Sequence, residues 1–431
     1  MLADIYFGEF LKPDLSGVGG GGIGTLIMHL IPVLKECGHE VRVFQSGRKA
    51  FVEDYQGARV IGIPPLAGLG KSNEAAARLF MQIAAASSNE KDRIEIFAAD
   101  FFSVWNKNPL AIAVQNGIAW DASLHMEGYA TTPMPPWKEK LTRWRCQERG
   151  LRRFERCYNR VAVDLYFLNW YRSFRGPDYS GRVYYNPNPA PPAPWDEKRD
   201  KIDPGAPVRI IMARRMVPEK GTRLAANVFK RVLARRAGVQ ITFAGGGPER
   251  AFLEDAFRGH PNVSFRLFQT EQALEAHRAF DVAFVPSLCG EGLSLAVLEA
   301  MAAGCAVVAT NMGGTITQIQ DGFSGRLCQP DEEDLFQALI HLIDHPEDRL
   351  RMAKRGWEVS QKVFPLAAWQ ERWQTILHEV VEGKETALED MVKSWRPSLL
   401  EKGQRVRLAL RGGPGRRARD EIVQSIRQSA P

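Results

Sequence analysis

Asp281 to Thr310 reads D-V-A-F-V-P-S-L-C-G-E-G-L-S-L-A-V-L-E-A-M-A-A-G-C-A-V-V-A-T. Two short apolar runs, 281–286 and 305–310, flank a helical stretch at 293–303. Unbroken apolar runs of this length suit strands buried on both faces, as in a parallel sheet. The same alternation runs upstream through V-R-I-I-M-A (208–213), a helix at 221–236, V-Q-I-T-F-A (239–244), a helix at 248–257, N-V-S-F-R (262–266) and a helix at 271–280. Strand and helix in strict alternation predict a doubly wound α/β domain.

A second set of α/β signals precedes it. Strands are expected at 3–7, 40–44, 59–64, 112–115, 160–168 and 182–186. One helix starts after the glycine-rich stretch Ser16–Thr25, with Pro32 expected to kink or end it, and another spans Glu74 to Ala86. Residues 191–207, dense in proline and charge, read as a linker. The boundaries are therefore 1–190 for a first Rossmann-like domain and 208–363 for a second. An aromatic helix at 364–383 and a basic, flexible tail at 384–431 follow. At 431 residues, two cores are expected.

Composition narrows the class. Hydrophobic residues make up 45% and charged residues 25%, as in ordinary soluble chains. No apolar run is long enough for a membrane span, and the N-terminus lacks a basic segment, so neither anchor nor signal peptide is expected. The six cysteines form no C-x-x-C pair, so reduced thiols in a cytoplasmic protein are expected, and no metal site. The net charge of +7 is concentrated. Residues 137–160 and 396–431 each carry nine Lys/Arg against three Asp/Glu.

Within the glycine-rich stretch, Gly19, Gly21 and Gly24 fit G-x-G-x-x-G. A dinucleotide site needs its first glycine directly after the first strand and an acid at the tip of the second. Here Phe7 lies too far from Gly19, and the second strand ends Phe44-Gln45-Ser46. What remains is a set of bare amides at Gly22 to Thr25 that favours an anion, or else a mobile surface loop.

The chemistry gathers in the opening segment. Glu291 stands in the loop after a strand, and Glu299 lies eight residues on, along the helix. Eight residues turn a helix by about 80° beyond two full turns. Amides at Gly292, Leu293 and Ser294 are expected to be free for a phosphate. A carboxylate on either side would take sugar or ribose hydroxyls. On spacing alone, a helix cap and a surface ion pair explain the two acids equally well.

E-G-L-S-L-A-V-L-E-A-M-A-A-G (291–304) resembles the E-x7-E signature of retaining glycosyltransferases of family 4, which have the GT-B fold. Further blocks agree: M-A-R-R-M-V-P-E-K-G (212–221), F-A-G-G-G-P-E (243–249), N-M-G-G-T (311–315), and G-G-I-G-T-L (21–26) with G-H-E-V-R-V-F (38–44). The resemblance spans roughly residues 1–380. It implies two Rossmann-like domains facing a cleft, with residues 364–383 crossing back to the first. It assigns Arg215 and Lys220 to the donor diphosphate and Glu291 to the donor sugar. Glu299 goes to the ribose, and Gly22, Asn116, Gly246, Gly292, Leu293 and Ser294 to the donor surroundings. The donor substrate would be a nucleotide-diphosphate sugar, with no separate cofactor. No D-x-D motif occurs, so transfer without a metal is expected, with Arg215 and Lys220 carrying the charge work. Arg214 and Ser294 stand where the family usually has glycine, and Asn116 where many members have histidine. Arg214 would be either a third cation or a solvent-facing side chain, and Ser294 would still offer its amide.

Three other classes compete. A nucleotide-sugar epimerase or hydrolase would need added acid–base residues, and a non-catalytic GT-B scaffold finds support only in the departures. Specific nucleic-acid binding would need base-stacking groups in a basic groove. The acceptor stays open, and cell-surface polysaccharide or glycoconjugate synthesis is the expected setting. The basic segment 137–160 reads either as a peripheral membrane contact at the inner face or as a solvated helix. The basic tail admits the same two readings and nonspecific nucleic-acid binding as well.

Overall fold

The computed structural model describes residues 1–19, 21–64, 73–88, 90, 92–117, 135–176, 179–201, 203, 205–394, 420–421 and 423–424. Two parallel sheets organise it. The first domain contains β1 Leu2–Tyr6, α1 Gly22–Glu36, β2 Glu40–Ser46, β3 Phe51–Tyr55, β4 Ala58–Ile63, α2 Asn73–Ala86 and β5 Arg93–Phe97. It continues with β6 Ala111–Gln115, α3 Pro136–Phe154, β7 Asn159–Ala162, α4 Leu165–Arg175 and β8 Arg182–Tyr185. Its strand order is β3-β4-β2-β1-β5-β6-β7-β8, parallel except for the β3–β4 hairpin.

The second domain comprises β9 Val208–Ala213, α5 Thr222–Arg235, β10 Val239–Ala244, α6 Arg250–Ala256, β11 Val263–Arg266, α7 Ala273–Arg278 and β12 Val282–Val285. Then come α8 Leu295–Ala302, β13 Ala306–Thr310, β14 Arg326–Cys328, α9 Glu332–Asp344 and α10 Pro346–Val363. The order β11-β10-β9-β12-β13-β14 is the Rossmann order, with its switch point between β9 and β12. In the first sheet the switch point falls between β1 and β5. Ligands of such sheets sit beyond the strands' carboxyl ends at these points.

Two helices join the domains. α11 (Leu366–Glu382) lies on the first domain, where Trp369 and Trp373 are buried beside Leu30, Ile31 and Leu34 of α1. α8 is apolar nearly all round, as a helix buried on two sides must be. Val297, Ala300 and Met301 pack on its own sheet. Leu298 and Ala302 join the core that holds α11 and the first sheet. The chain crosses between domains twice, side by side: Ala190 bridges Pro365, and the Ala190 amide donates to the Phe364 carbonyl at 2.8 Å.

Several expectations change. α1 runs unbroken through Pro32. The run expected as a strand over 160–168 stops at Ala162, because the Asp164 carboxylate accepts from the Phe167 amide at 2.6 Å and caps α4. β3, β5 and β14 were not foreseen. The tail does not begin at 384: α12 (Lys384–Ser394) packs Ala387 and Met391 on Tyr158, whose hydroxyl meets Asp390 at 2.5 Å. Beyond 394, the expected basic tail lies outside the described residues apart from four positions, of which Val423 is buried in the first domain's core.

Candidate functional site

Between the two switch points lies a cleft of about 850 Å³. All ten residues proposed from the sequence line it: Gly22, Asn116, Arg215, Lys220, Gly246, Glu291, Gly292, Leu293, Ser294 and Glu299. The two lips touch. A Cβ built on Gly22, the first residue of α1, would lie 3.3 Å from Leu295 Cδ1, on the first residue of α8. The amino ends of two helices therefore face one cavity, and both favour negative charge.

The lips also meet backbone to backbone. A Cβ on Gly292 would stand 2.8 Å from the Asn116 carbonyl carbon. One on Gly117, whose φ is +118°, would stand 2.6 Å from the Gly292 nitrogen. Only glycine fits at either position, so this close approach is written into the sequence. Asn188 Nδ2 adds a bond to the Leu293 carbonyl at 2.9 Å. On the other side of the cleft, Lys12 reaches the Gln269 side chain, and the Val18 amide donates to Glu271 at 3.2 Å.

Glu291 is the electrostatic centre. Its Oε1 accepts from Arg214 Nη2 at 2.5 Å, Ser287 Oγ at 2.6 Å and Lys220 Nζ at 2.7 Å. Burial alone would raise its pKa, but Lys220 and then Arg214 drive it far below the usual carboxylate range. Glu291 is thus a fixed anion held by two cations. Its carbonyl accepts from the Gly314 amide at 2.8 Å, which pins the loop after β12 to the loop after β13.

Glu299 contrasts with it. The side chain makes no hydrogen bond among the described residues, and burial pushes its carboxyl up to about 7, opposed only by Arg214. Asp100, on the other lip beyond β5, is also pushed up to about 7 by burial, with Arg153 opposing. Its Oδ1 accepts from the Phe101 amide at 2.9 Å.

Arg215 is exposed and bonds to no other described side chain. Arg214 corrects the solvent-facing alternative: its side chain is only 6% exposed, bonded to Glu291, with Nε and Nη1 buried and unpartnered. Ser294 also departs from expectation. Its amide donates to Gln318 Oε1 at 3.0 Å, and Gln318 Nε2 donates back to its carbonyl at 2.9 Å. That amide is not free for a phosphate. α8 begins at Leu295, so the cleft-lining amides of its first turn belong to Leu295 and Ala296. The Asn116 amide nitrogen is held by the Ala98 carbonyl at 2.6 Å, which aims the side chain along the cleft wall. Gly246 contributes backbone only, its carbonyl accepting from the Met216 amide at 2.8 Å.

Sequence reasoning missed Ser287, Gln318, Lys12 and Asp100. Ser287 stands four residues before Glu291 and was the most legible of them. Lys12 and Asp100 are brought to the cleft only by the fold, and Gln318 reaches the Ser294 backbone from beyond β13.

Residues 207–345 match the family model described as glycosyl transferases group 1. Over 340 residues the chain is 27% identical to phosphatidyl-myo-inositol mannosyltransferase of Mycolicibacterium smegmatis, covering 77% of this chain and 83% of that one. Over 170 residues it is 32% identical to sulfoquinovosyl transferase SQD2 of Arabidopsis thaliana, covering 38% of this chain and a third (33%) of the relative's length. Among solved structures, sucrose-phosphate synthase of Thermosynechococcus elongatus superposes with a TM-score of 0.67 at 16% identity, over 89% of this chain and all (100%) of that one. Anabaena HepE, solved with UDP and glucose, gives 0.60 at 14% identity over 88% of this chain and 100% of that chain. The match over 207–345 is thus to the group 1 glycosyl transferases, and the two facing Rossmann-like domains have the fold of the glycosyltransferase structures that superpose on them.

Proposed function

We propose that the protein transfers a glycosyl unit from a nucleoside diphosphate sugar to an acceptor held against the first domain, with retention and without a metal. The observation that carries this reading is the placement of Arg215. It is an exposed cation, without a side-chain partner among the described residues, in the cleft that also holds the Lys220–Glu291–Arg214 cluster and two helix amino ends.

Glycosyl transfer builds positive charge on the sugar and negative charge on the departing phosphate. Preorganised donors aimed at that phosphate are the effective means of lowering the barrier. Arg215 and Lys220 supply the fixed charge. The first-turn amides of α8 at Leu295 and Ala296, and of α1 at Gly22, supply the donors. Glu291, kept ionised, accepts hydroxyls of the donor sugar and fixes its orientation. Glu299 takes the ribose. Asn116 and Gly292 shape the wall where the two lips meet. HepE, a structural neighbour, was solved with UDP-glucose, which supports a nucleotide sugar in this cleft.

The test is a thermal-shift screen of UDP-, GDP- and ADP-sugars, followed by product analysis with the stabilising donor. One donor class is expected to raise the melting temperature and to yield product with unchanged anomeric configuration. EDTA is expected to leave the rate unchanged. A protein that no nucleotide sugar stabilises, and that forms no product, would return the scaffold reading.

The acceptor side points to a surface of anionic lipid, at the inner face of the membrane in a cytoplasmic protein. In α3, Trp137, Leu141 and Trp144 are 68%, 37% and 54% exposed, whereas Leu151 and Phe154 at its far end are fully buried. Gly150 does not interrupt the helix. The exposed apolar residues sit among Lys138, Lys140 and Arg145, the pattern of a helix lying in a membrane interface. Among the described residues no helix is long and apolar enough to cross a membrane. Flotation with anionic but not neutral liposomes, abolished by W137A/W144A, is the expected result. Saccharide, lipid-linked and small-molecule acceptors are the classes to test, in the setting of cell-surface polysaccharide or glycoconjugate synthesis.

A further inference from the structure

The second domain has another cavity, of about 560 Å³, at the amino ends of its strands. It is walled by the linker, the starts of β9 and β12, the turn at Gly304 and the first turns of α10. Sheets of this kind bind their ligands at the opposite end, so this cavity is separate from the cleft. Six cations line it: Lys198, Arg199, Lys201, Arg209, Arg278 and Arg349.

Three of the six are engaged. Arg199 donates to the carbonyls of Phe280, Gly304 and Arg278 and pins the linker to the domain. Arg209 pairs with Asp281 at 3.0 Å, and Arg278 with Glu275 at 3.1 Å. The other three have no carboxylate partner among the described residues. Lys198 and Lys201 are exposed on the linker. Arg349 uses Nη1 to close the end of α9, at 2.6 Å from the Leu342 carbonyl, and its Nε and Nη2 bond nothing described. Burial lowers its pKa, and the Asp281 carboxylate on the same wall opposes that fall. Of the remaining wall acids, Asp196 and Asp203 each spend one oxygen on a backbone amide of their own turn, at 3.1 Å and 2.9 Å. Six cations thus share one concave surface with three carboxylates, Asp196, Asp203 and Asp281, and the surplus positive charge favours an anion.

We propose that this cavity is a second anion site, taking the phosphate of a small phosphomonoester between Lys198, Lys201 and Arg349, with the free carboxylate oxygens of Asp196 and Asp203 accepting hydroxyls. The cavity is within the range that holds a small ligand. Two of its cations lie on the segment leaving the first domain, and the third lies on the helix that leads back to it. An occupant ties these two segments together.

The experiment is isothermal titration of the full chain with inorganic phosphate and, separately, with a hexose 6-phosphate. The wild type is compared with K198A/K201A and with R215A. The wild type is expected to bind both probes, and K198A/K201A to weaken both by about tenfold or more. Nucleoside diphosphate binding should be unchanged in K198A/K201A, and phosphomonoester binding unchanged in R215A. A clear preference for the hexose phosphate assigns the site to a phosphorylated sugar, and equal affinity assigns it to free phosphate. Unchanged titrations in K198A/K201A, loss of phosphate binding in R215A, or no binding of either probe would overturn the proposal. Loss of phosphate binding in R215A would place the phosphate in the cleft instead, and the donor reading of the cleft is tested separately by nucleoside diphosphate binding.

Discussion

The two lips of the cleft are built on the same topology but carry opposite kinds of chemistry. The lip of the second domain is charged and rigid: Arg214, Lys220 and Ser287 converge on one oxygen of Glu291, and Arg215 lines the same cleft with no side-chain partner among the described residues. Among the described residues, the lip of the first domain is mostly backbone and small side chains, at Gly19, Gly21, Gly22, Asn116 and Gly117, with Asp100 as its one carboxyl and Lys12 as its one cation. Strong fixed charge on one side suits a donor that always carries the same diphosphate. On the proposed reading, a glycine-lined side with few charges suits acceptors that differ in shape. The division of labour follows from which side chains each switch point supplies, not from a difference in fold.

Breaking the charged lip should cost most. E291Q leaves the shape but removes the charge that orders Arg214 and Lys220, and kcat/KM is expected to fall about a hundredfold or more, with circular dichroism unchanged. R215A removes the free cation, for an expected loss of about ten- to a hundredfold, partly recovered in R215K. R214G restores the residue usual in the resembling family. Lys220 and Ser287 still hold Glu291, so a loss of about tenfold is expected, seen in kcat more than in KM.

On the other lip the effects are smaller. G22V directs a branched side chain at Leu295 across the cleft. An increase of about fivefold in the donor KM is expected, with little change in melting temperature. The smallest effect concerns pH. Glu299 keeps its proton up to about 7, and its carboxylate form accepts ribose hydroxyls better. Binding of the nucleoside diphosphate should tighten about threefold from pH 6 to 8, and E299Q should flatten that slope. Stability runs the other way. The folded protein holds these protons at a pH where the unfolded chain has lost them, so stability falls as pH rises from the ordinary carboxylate range to about 7. D100N and E299Q should each remove part of that fall in a melting series.

The second domain was the more legible in the sequence. Its strands are unbroken apolar runs, and its site residues sit in short loops directly after them, so local pattern located both. What escaped depended on distance. Arg214 and Glu291 are 77 positions apart, and nothing local shows that one neutralises the other. Gln318 takes the Ser294 amide from a loop beyond the next strand. In the first domain, the apolar run at 160–168 fits strand and helix equally, and the Asp164 cap decides between them. The β3–β4 hairpin is edge structure with little apolar periodicity, and it too went unread.

The double-sided burial of α8 has a bearing on how such enzymes could be recombined. A chimera that grafts a foreign second domain onto this first domain would bring in a helix whose outer face, at the positions of Leu298 and Ala302, must interlock with α11 and the first sheet. Splicing at the linker alone would mismatch that face. A workable exchange has to cut at both crossings, near Ala190 and Pro365, and either carry α11 with the first domain or redesign those two positions of α8 to suit their new host.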